Sequence, residues 1–269
     1  MRLRNVILSF LLLAAPLSAL AEDVVAYKGV LEKGYDFLVY EPADRDPEAR
    51  LPLILFLHGK SICGHNLNSV MRYGCLDAVH KGVKIDAVIV APQTSVPSWD
   101  ADKLNDVIDY VLGKYSCDEN RIYVIGMSMG GWGTLKVLES YPDKIAAGMA
   151  MCGGYTGKSF DGLLKVPLWI IHGLEDEATP YSFSMNLTTK MFVGGKADRL
   201  LCDWPSCGHS LLVRIFYLED TYKWLFAHSL ADEGRPVCRK YRISDEKIRG
   251  AYNTIKSDPV DLRIVPASL

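Results

Sequence analysis

The chain has 269 residues, with 30 Lys+Arg against 32 Asp+Glu, 49% hydrophobic and 23% charged. This is globular composition; it excludes a disordered, collagen-like or polybasic protein, and a net charge of −2 gives no electrostatic case for nucleic acid. A chain of this length can bury roughly 75% of the surface it exposes when unfolded, enough for one substantial core without metals or disulfide staples.

In chain order, the first feature is a leader. Arg2 and Arg4 precede an apolar stretch from Val6, and Ala19-Leu20-Ala21 has the small-x-small form of a cleavage site. Residues 1–21 read as a secretory signal peptide. The apolar stretch of 16 residues, Val6 to Ala21, falls below the roughly 17 to 25 needed to span a bilayer, so no stable membrane anchor is expected after cleavage. The protein is therefore expected to be exported, to the periplasm or outside the cell. Seven cysteines follow: Cys63, Cys75, Cys117, Cys152, Cys202, Cys207 and Cys238. An odd number leaves at least one thiol free or intermolecular, and spacing does not give a pairing; structural cysteines with at most one bridge are expected, Cys202 with Cys207 being compatible with it.

Val24 to Leu31 and Tyr35 to Tyr40 flank Lys33-Gly34 and predict an antiparallel hairpin. Leu53–Leu57, Ala87–Val90, Ile122–Ile125 and Leu168–Ile171 are nearly continuous apolar runs of strand length, as expected of strands covered on both faces. Helical patterns lie between or after them, at about Leu104 to Lys114, Met129 to Ser140, Tyr181 to Val193 and Leu211 to Phe226. The alternation predicts an α/β fold with a mostly parallel sheet, right-handed crossovers and helices on both faces. After Ala231 the chain becomes locally basic, and Ser244 is placed to cap a short helix reaching about Ile255. Residues 232–269 read as a packed appendage of one domain spanning 22–269.

In such a sheet, binding sites gather at the carboxyl ends of the strands. The run Ile122 to Ile125 leads directly into Gly126-Met127-Ser128-Met129-Gly130, a G-x-S-x-G between predicted strand and predicted helix. That turn lifts the serine hydroxyl out of the sheet, and the N–H of Met129 at the helix start can face a developing oxyanion. Serine needs a base and an orienting acid. The strand Leu168 to Ile171 ends in His172-Gly173-Leu174-Glu175-Asp176-Glu177, and Arg199 to Asp203 is followed by Gly208-His209 before a helical segment. The order nucleophile, acid, histidine is thus available as Ser128, Asp176, His209, with Glu175 and Glu177 competing for the acid's place. Of the remaining histidines, His58 and His172 end buried strands and are expected to fix the turns that follow, His65 lies in a loop, and His80 and His228 lie on helical segments.

The region from about Leu53 to Leu225 resembles the α/β-hydrolase superfamily, and the elbow Gly126-Met127-Ser128-Met129-Gly130-Gly131-Trp132-Gly133-Thr134 is similar to that of small esterases of the feruloyl-esterase and polyester-depolymerase kind. The resemblance implies Asp176 as the acid, third after His172-Gly173 as in an H-G-x-x-D arrangement. It also implies a second oxyanion donor two residues past His58, which maps onto the Lys60 N–H; the loop reads H-G-K-S rather than H-G-G-G, so the choice between Lys60 and Ser61 stays open. Neither a metal nor an organic cofactor is implied, and no H-E-x-x-H or Walker-type sequence occurs. Only 48 residues separate Ser128 from Asp176 and 33 separate Asp176 from His209, too few for a large cap, so an open cleft is expected. Trp132, Tyr155, Trp99 and Trp204 are candidates for an aromatic wall receiving a sugar or phenolic group.

The activity expected is hydrolysis of small-molecule or carbohydrate-linked esters, acetyl and feruloyl groups included. Two alternatives differ in kind. One is a serine peptidase, because the elbow also resembles prolyl-oligopeptidase catalytic domains; the other is a non-catalytic binding protein on the same fold.

Overall fold

The computed structural model describes residues 22–195, 197–255 and 260–268. The predicted leader, residues 1–21, lies outside the described residues.

Nine strands form one sheet: β1 (Glu22–Tyr27), β2 (Asp36–Tyr40), β3 (Leu51–Leu57), β4 (Val88–Gln93), β5 (Cys117–Met127), β6 (Ala147–Met151), β7 (Leu168–Ile171), β8 (Leu200–Asp203) and β9 (Leu262–Pro266). Their spatial order is β8-β7-β6-β5-β3-β4-β2-β1-β9. β2 pairs antiparallel with both β1 and β4, in the registers Val25 to Val39 and Val39 to Val90, while every other pairing is parallel. Of these nine strands β2 alone therefore runs backwards, and the predicted N-terminal hairpin is what starts the sheet.

The apolar strand runs are continuous because successive side chains enter opposite layers. Leu53, Leu55 and Leu57 of β3 point into one core with Val88 and Val90 of β4; Ile54 and Phe56 point into the other with Ile89. The helices are α1 (Cys75–His80), α2 (Ala101–Leu112), α3 (Met129–Ser140), α4 (Ser182–Val193), α5 (Glu219–Phe226) and α6 (Asp245–Gly250). Those that cover the first core are α2, α3 and α4, through residues such as Val107, Leu135 and Met191; α1, α5 and α6 cover the second through Leu76, Trp224 and Ile248. α2 shows how the sequence sets this: Asp100 caps it by accepting from the N–H groups of Asp102 and Lys103, and Leu104, Val107, Ile108 and Val111 recur at helical spacing on its buried side. Full burial of each such side chain contributes about 1.5–3 kcal/mol.

One expectation is corrected and two are made more definite. The single helix expected from Leu211 to Phe226 is instead a 3-10 helix, His209–Tyr217, followed by α5, with Leu218 extended between them at φ −92° and ψ 126°. The segment after Ala231 does more than pack on the surface: its last strand, β9, joins the sheet beside β1. All seven cysteines are free thiols. Cys202 packs against the layer covered by α2, α3 and α4, whereas Cys207 is buried in the opposite one, so the sheet separates the pair that spacing had left compatible with a bridge.

Candidate active site

β5 ends in the elbow. Ser128 stands between β5 and α3 at φ 58° and ψ −124°, a left-handed conformation that is costly for a residue with a Cβ. The turn is held on both sides: the Ser128 N–H donates to Met151 O at 2.8 Å, and the Trp132 N–H donates to Ser128 O at 3.1 Å. Glycine is required beside it. A Cβ on Gly130 would overlap the Leu57 carbonyl of β3, and one on Gly126 would overlap the Gly130 carbonyl; both obstacles are backbone and cannot rotate away.

Asp176 lies on the loop after β7, its carboxylate fully buried. Oδ1 accepts from the backbone N–H groups of Ala178 at 2.9 Å and Thr179 at 2.8 Å, which fixes the carboxylate plane. Oδ2 accepts from His209 Nδ1 at 2.6 Å, the short distance of a charge-assisted hydrogen bond. Glu175 and Glu177, the competing acids, are exposed. His172 supports this loop: its Nε2–H donates to Thr179 O at 2.8 Å, and burial lowers its pKa and keeps it neutral. His58 plays the corresponding part after β3, with Nδ1–H donating to Gly59 O at 2.8 Å and Nε2 accepting from the Thr94 N–H at 3.3 Å; burial lowers its pKa to about 4.

His209 opens the 3-10 helix after β8 with its imidazole 24% exposed. With Nδ1–H committed to Asp176, Nε2 is left as the basic nitrogen. Both His209 and Ser128 line one cavity of about 780 Å³. The loop that carries the histidine is gripped from outside by the segment after Ala231. Asp203, at the end of β8, accepts from Trp169 Nε1 at 3.0 Å, from the Ile243 N–H at 2.8 Å and from Arg242 Nε at 2.7 Å, and Asp245 accepts from the Ser206 N–H at 2.9 Å.

Two helix starts also reach the cavity. Met129 opens α3, and Lys60 opens the 3-10 helix Lys60–Ile62, so the N–H groups of both belong to first turns, where helices leave donors unpaired. Gly59, directly before Lys60, packs against the serine, since a Cβ built on it would come 3.5 Å from the Ser128 Cβ, and its N–H donates to the Tyr73 hydroxyl at 2.7 Å. Tyr73, itself a wall of the cavity, escaped the sequence reading because it sits in a loop without a motif.

Two of the four aromatic candidates line the cavity. Trp132 stands over it with Phe183 edge-on at 5.3 Å, and Trp99, only 2% exposed, presents an edge while donating Nε1–H to His58 O at 3.2 Å. Tyr155 packs edge-on against Phe160, and Trp204 packs against the core layer of α2, α3 and α4; neither lines the cavity. Lys136, Thr156 and Thr179 do line it, and no motif marked them.

Cys152, Asp176 and His209 bring one donor atom each within 4.8 Å of one another. The Asp176 oxygens are already taken up by His209 and two backbone N–H groups, and burial raises the pKa of the Cys152 thiol, which keeps it protonated. This donor set suits a proton relay better than a metal.

Residues 93–161 match the model of the prolyl oligopeptidase family. A bifunctional acetylxylan esterase/xylanase of Neocallimastix patriciarum is 29% identical over 163 residues, covering 58% of this chain and 23% of the relative. The chain thus matches about a quarter of that relative's length. Among solved structures, a thermostable esterase superposes with a TM-score of 0.64 at 24% identity, covering 77% of this chain and 63% of that one. The feruloyl esterase module from Clostridium thermocellum, complexed with sinapinate, superposes at 0.55 with 18% identity, covering 83% of this chain and 90% of the module. With the mostly parallel sheet and its elbow, these likenesses show that the chain has the α/β-hydrolase fold.

Proposed function

We propose that the chain is an exported serine carboxylesterase that removes acyl groups, acetyl or feruloyl, from carbohydrate. Its working unit is residues 22–269 with the segment after Ala231 included, and it acts in the periplasm or outside the cell. The observation that carries the reading is the 2.6 Å hydrogen bond from His209 Nδ1 to the buried Asp176 carboxylate, made where His209 shares a cavity with the elbow serine.

The chemistry follows from that arrangement. Ser128 Oγ attacks the ester carbonyl while His209 Nε2 takes its proton, and the imidazolium so formed is stabilised by Asp176. The carbonyl oxygen gathers negative charge facing the N–H of Met129 and that of Lys60. As the tetrahedral intermediate collapses, the carbon–oxygen bond to the alcohol breaks and His209 returns the proton to the leaving oxygen. Water then repeats the sequence on the acyl-serine, releasing the acid and restoring the hydroxyl. Each oxyanion donor in such a site is typically worth on the order of 100-fold to 1000-fold in turnover. Export is supported by the leader pattern at residues 1–21, and no helix among the described residues is long and apolar enough to cross a membrane.

Ser128→Ala tests the reading. It should abolish hydrolysis of a 4-nitrophenyl ester and labelling by a fluorophosphonate while leaving the unfolding temperature near that of the parent; undiminished activity would refute it. A panel of acetylated, feruloylated and alkyl esters then orders the acyl groups. A second reading, serine peptidase, is favoured by the match of residues 93–161 to the prolyl oligopeptidase family, and faster cleavage of amides than of matched esters would select it.

A further inference from the structure

The ionisable groups that line the 780 Å³ cavity are Lys60, Tyr73, Lys136 and His209; no carboxylate is among its lining residues. Neither lysine forms an ion pair among the described residues, in contrast to Lys81, Lys144, Lys223 and Lys247, which pair with Asp77, Asp109, Glu219 and Asp220. Lys136 Nζ instead meets neutral acceptors, Ser98 Oγ at 3.2 Å and Trp99 O at 3.0 Å. Lys136 thus borders the substrate volume without a paired carboxylate, and Lys60 is a second lysine on the lining. α3 sets the place of Lys136, since Trp132 and Lys136 follow Ser128 at four-residue intervals and share one helix face. At 1.5 Å per residue, Lys136 sits about 12 Å down that face from the serine. Charge there is addressed to a group remote from the scissile carbonyl.

Beyond Trp99 lies a second groove, of about 750 Å³, which shares Ser98, Trp99 and Lys136 with the cavity and is lined by Asp36, Asp100, Asp102, His65 and Lys103. The three carboxylates already accept from neutral donors: Asp36 from the Gly29 N–H, Asp100 from the N–H groups of Asp102 and Lys103, and Asp102 from the Tyr141 hydroxyl at 2.7 Å. They make the groove unfavourable to an anion, so Lys136 marks the limit to which a negative charge would run.

Building on the esterase reading above, we propose that the preferred substrate is an ester bearing a carboxylate remote from the scissile bond, held by Lys136. Such a carboxylate belongs either to the alcohol, as in a uronate-substituted saccharide, or to the acyl group, as in the half-ester of a dicarboxylic acid. A neutral ester would leave the Lys136 ammonium unanswered.

The test compares matched pairs. For the alcohol arm these are acetylated xylo-oligosaccharides with and without a uronate branch; for the acyl arm they are 4-nitrophenyl hydrogen adipate and 4-nitrophenyl hexanoate. In one arm kcat/KM should favour the anionic member by about tenfold at low ionic strength, mainly through KM, and the ratio should fall towards one at about 1 M salt, where the Debye length is near 3 Å. Lys136→Met, which keeps the aliphatic stem, should lower the ratio by about tenfold, the effect of roughly one decade in binding; Lys136→Arg should keep it. Ratios at or below one in both arms, a ratio indifferent to salt, or a ratio unchanged in Lys136→Met would overturn the proposal while leaving the esterase intact. If Lys136→Met fails to fold, the salt dependence of the parent decides. Failure to hydrolyse any ester would overturn the esterase reading and this proposal together.

Discussion

Asp176→Asn isolates the role of one oxygen. In the parent, Oδ1 is held by two backbone N–H groups, from Ala178 and Thr179, and Oδ2 receives the His209 Nδ1–H. An asparagine of the same shape can satisfy the two N–H donors only by placing its carbonyl oxygen where Oδ1 was. Its NH₂ then faces His209, which must turn Nδ1 into an acceptor and move its proton to Nε2. The nitrogen that should take the Ser128 proton would then carry one already. Loss of the correct tautomer together with the stabilising charge typically lowers kcat by about 10⁴, equivalent to roughly 5.5 kcal/mol on the barrier. The assay is kcat for a 4-nitrophenyl ester, read beside the thermal unfolding temperature so that a folding defect is separated from a chemical one. A folded variant within tenfold of the parent would show that Asp176 does not orient the base, and the hydrolytic mechanism would need another acid.

Gly130→Ala should yield inactive and strongly destabilised protein, because its Cβ would occupy the space of the Leu57 carbonyl; near-normal activity and melting temperature would contradict the packing of α3 on β3. Stability should also fall with acid. His58 has its pKa lowered from 6.5 to about 4 by burial, so between those values the unfolded chain binds the proton and the folded chain does not. Stability is full above pH 6.5 and is lost progressively as pH falls, by about 3 kcal/mol from this group alone, with His172 and His228 acting in the same direction. Denaturant unfolding at pH 7.5 and pH 4.5 measures the difference, and equal free energies would refute a neutral His58.

The sheet was legible where the strands are covered on both faces. Leu53–Leu57 and Leu168–Ile171 need no partner to be recognised, because few other contexts favour so many consecutive apolar side chains. β9 was not: its residues are half-buried or exposed, it includes Arg263 and Pro266, and only its pairing with β1 makes it a strand. The break at Leu218 likewise carries no glycine or proline to announce it. In the site, residues expected from a motif were easier to find than residues brought in by packing. Ser128 and Asp176 follow from their short signatures. Tyr73 reaches the cavity from a loop where nothing in the local sequence says which way it faces, and Lys136, although its spacing puts it on the face of Ser128 and Trp132, lies two turns beyond the elbow and carries no motif. The same limit explains the aromatics: position near the elbow and the strand ends supplied four candidates, and tertiary packing turned Tyr155 and Trp204 away.

The grip on Asp203 gives the chain a remote handle on its own chemistry. Because Arg242 and the Ile243 N–H hold the end of β8, and Asp245 holds the Ser206 N–H, the imidazole is aimed partly by residues that never meet the substrate. On the proposed mechanism, changes in that tail would tilt His209 relative to Ser128 and tune turnover while leaving the cavity wall untouched. An engineer seeking a faster or slower catalyst with the same selectivity would begin there.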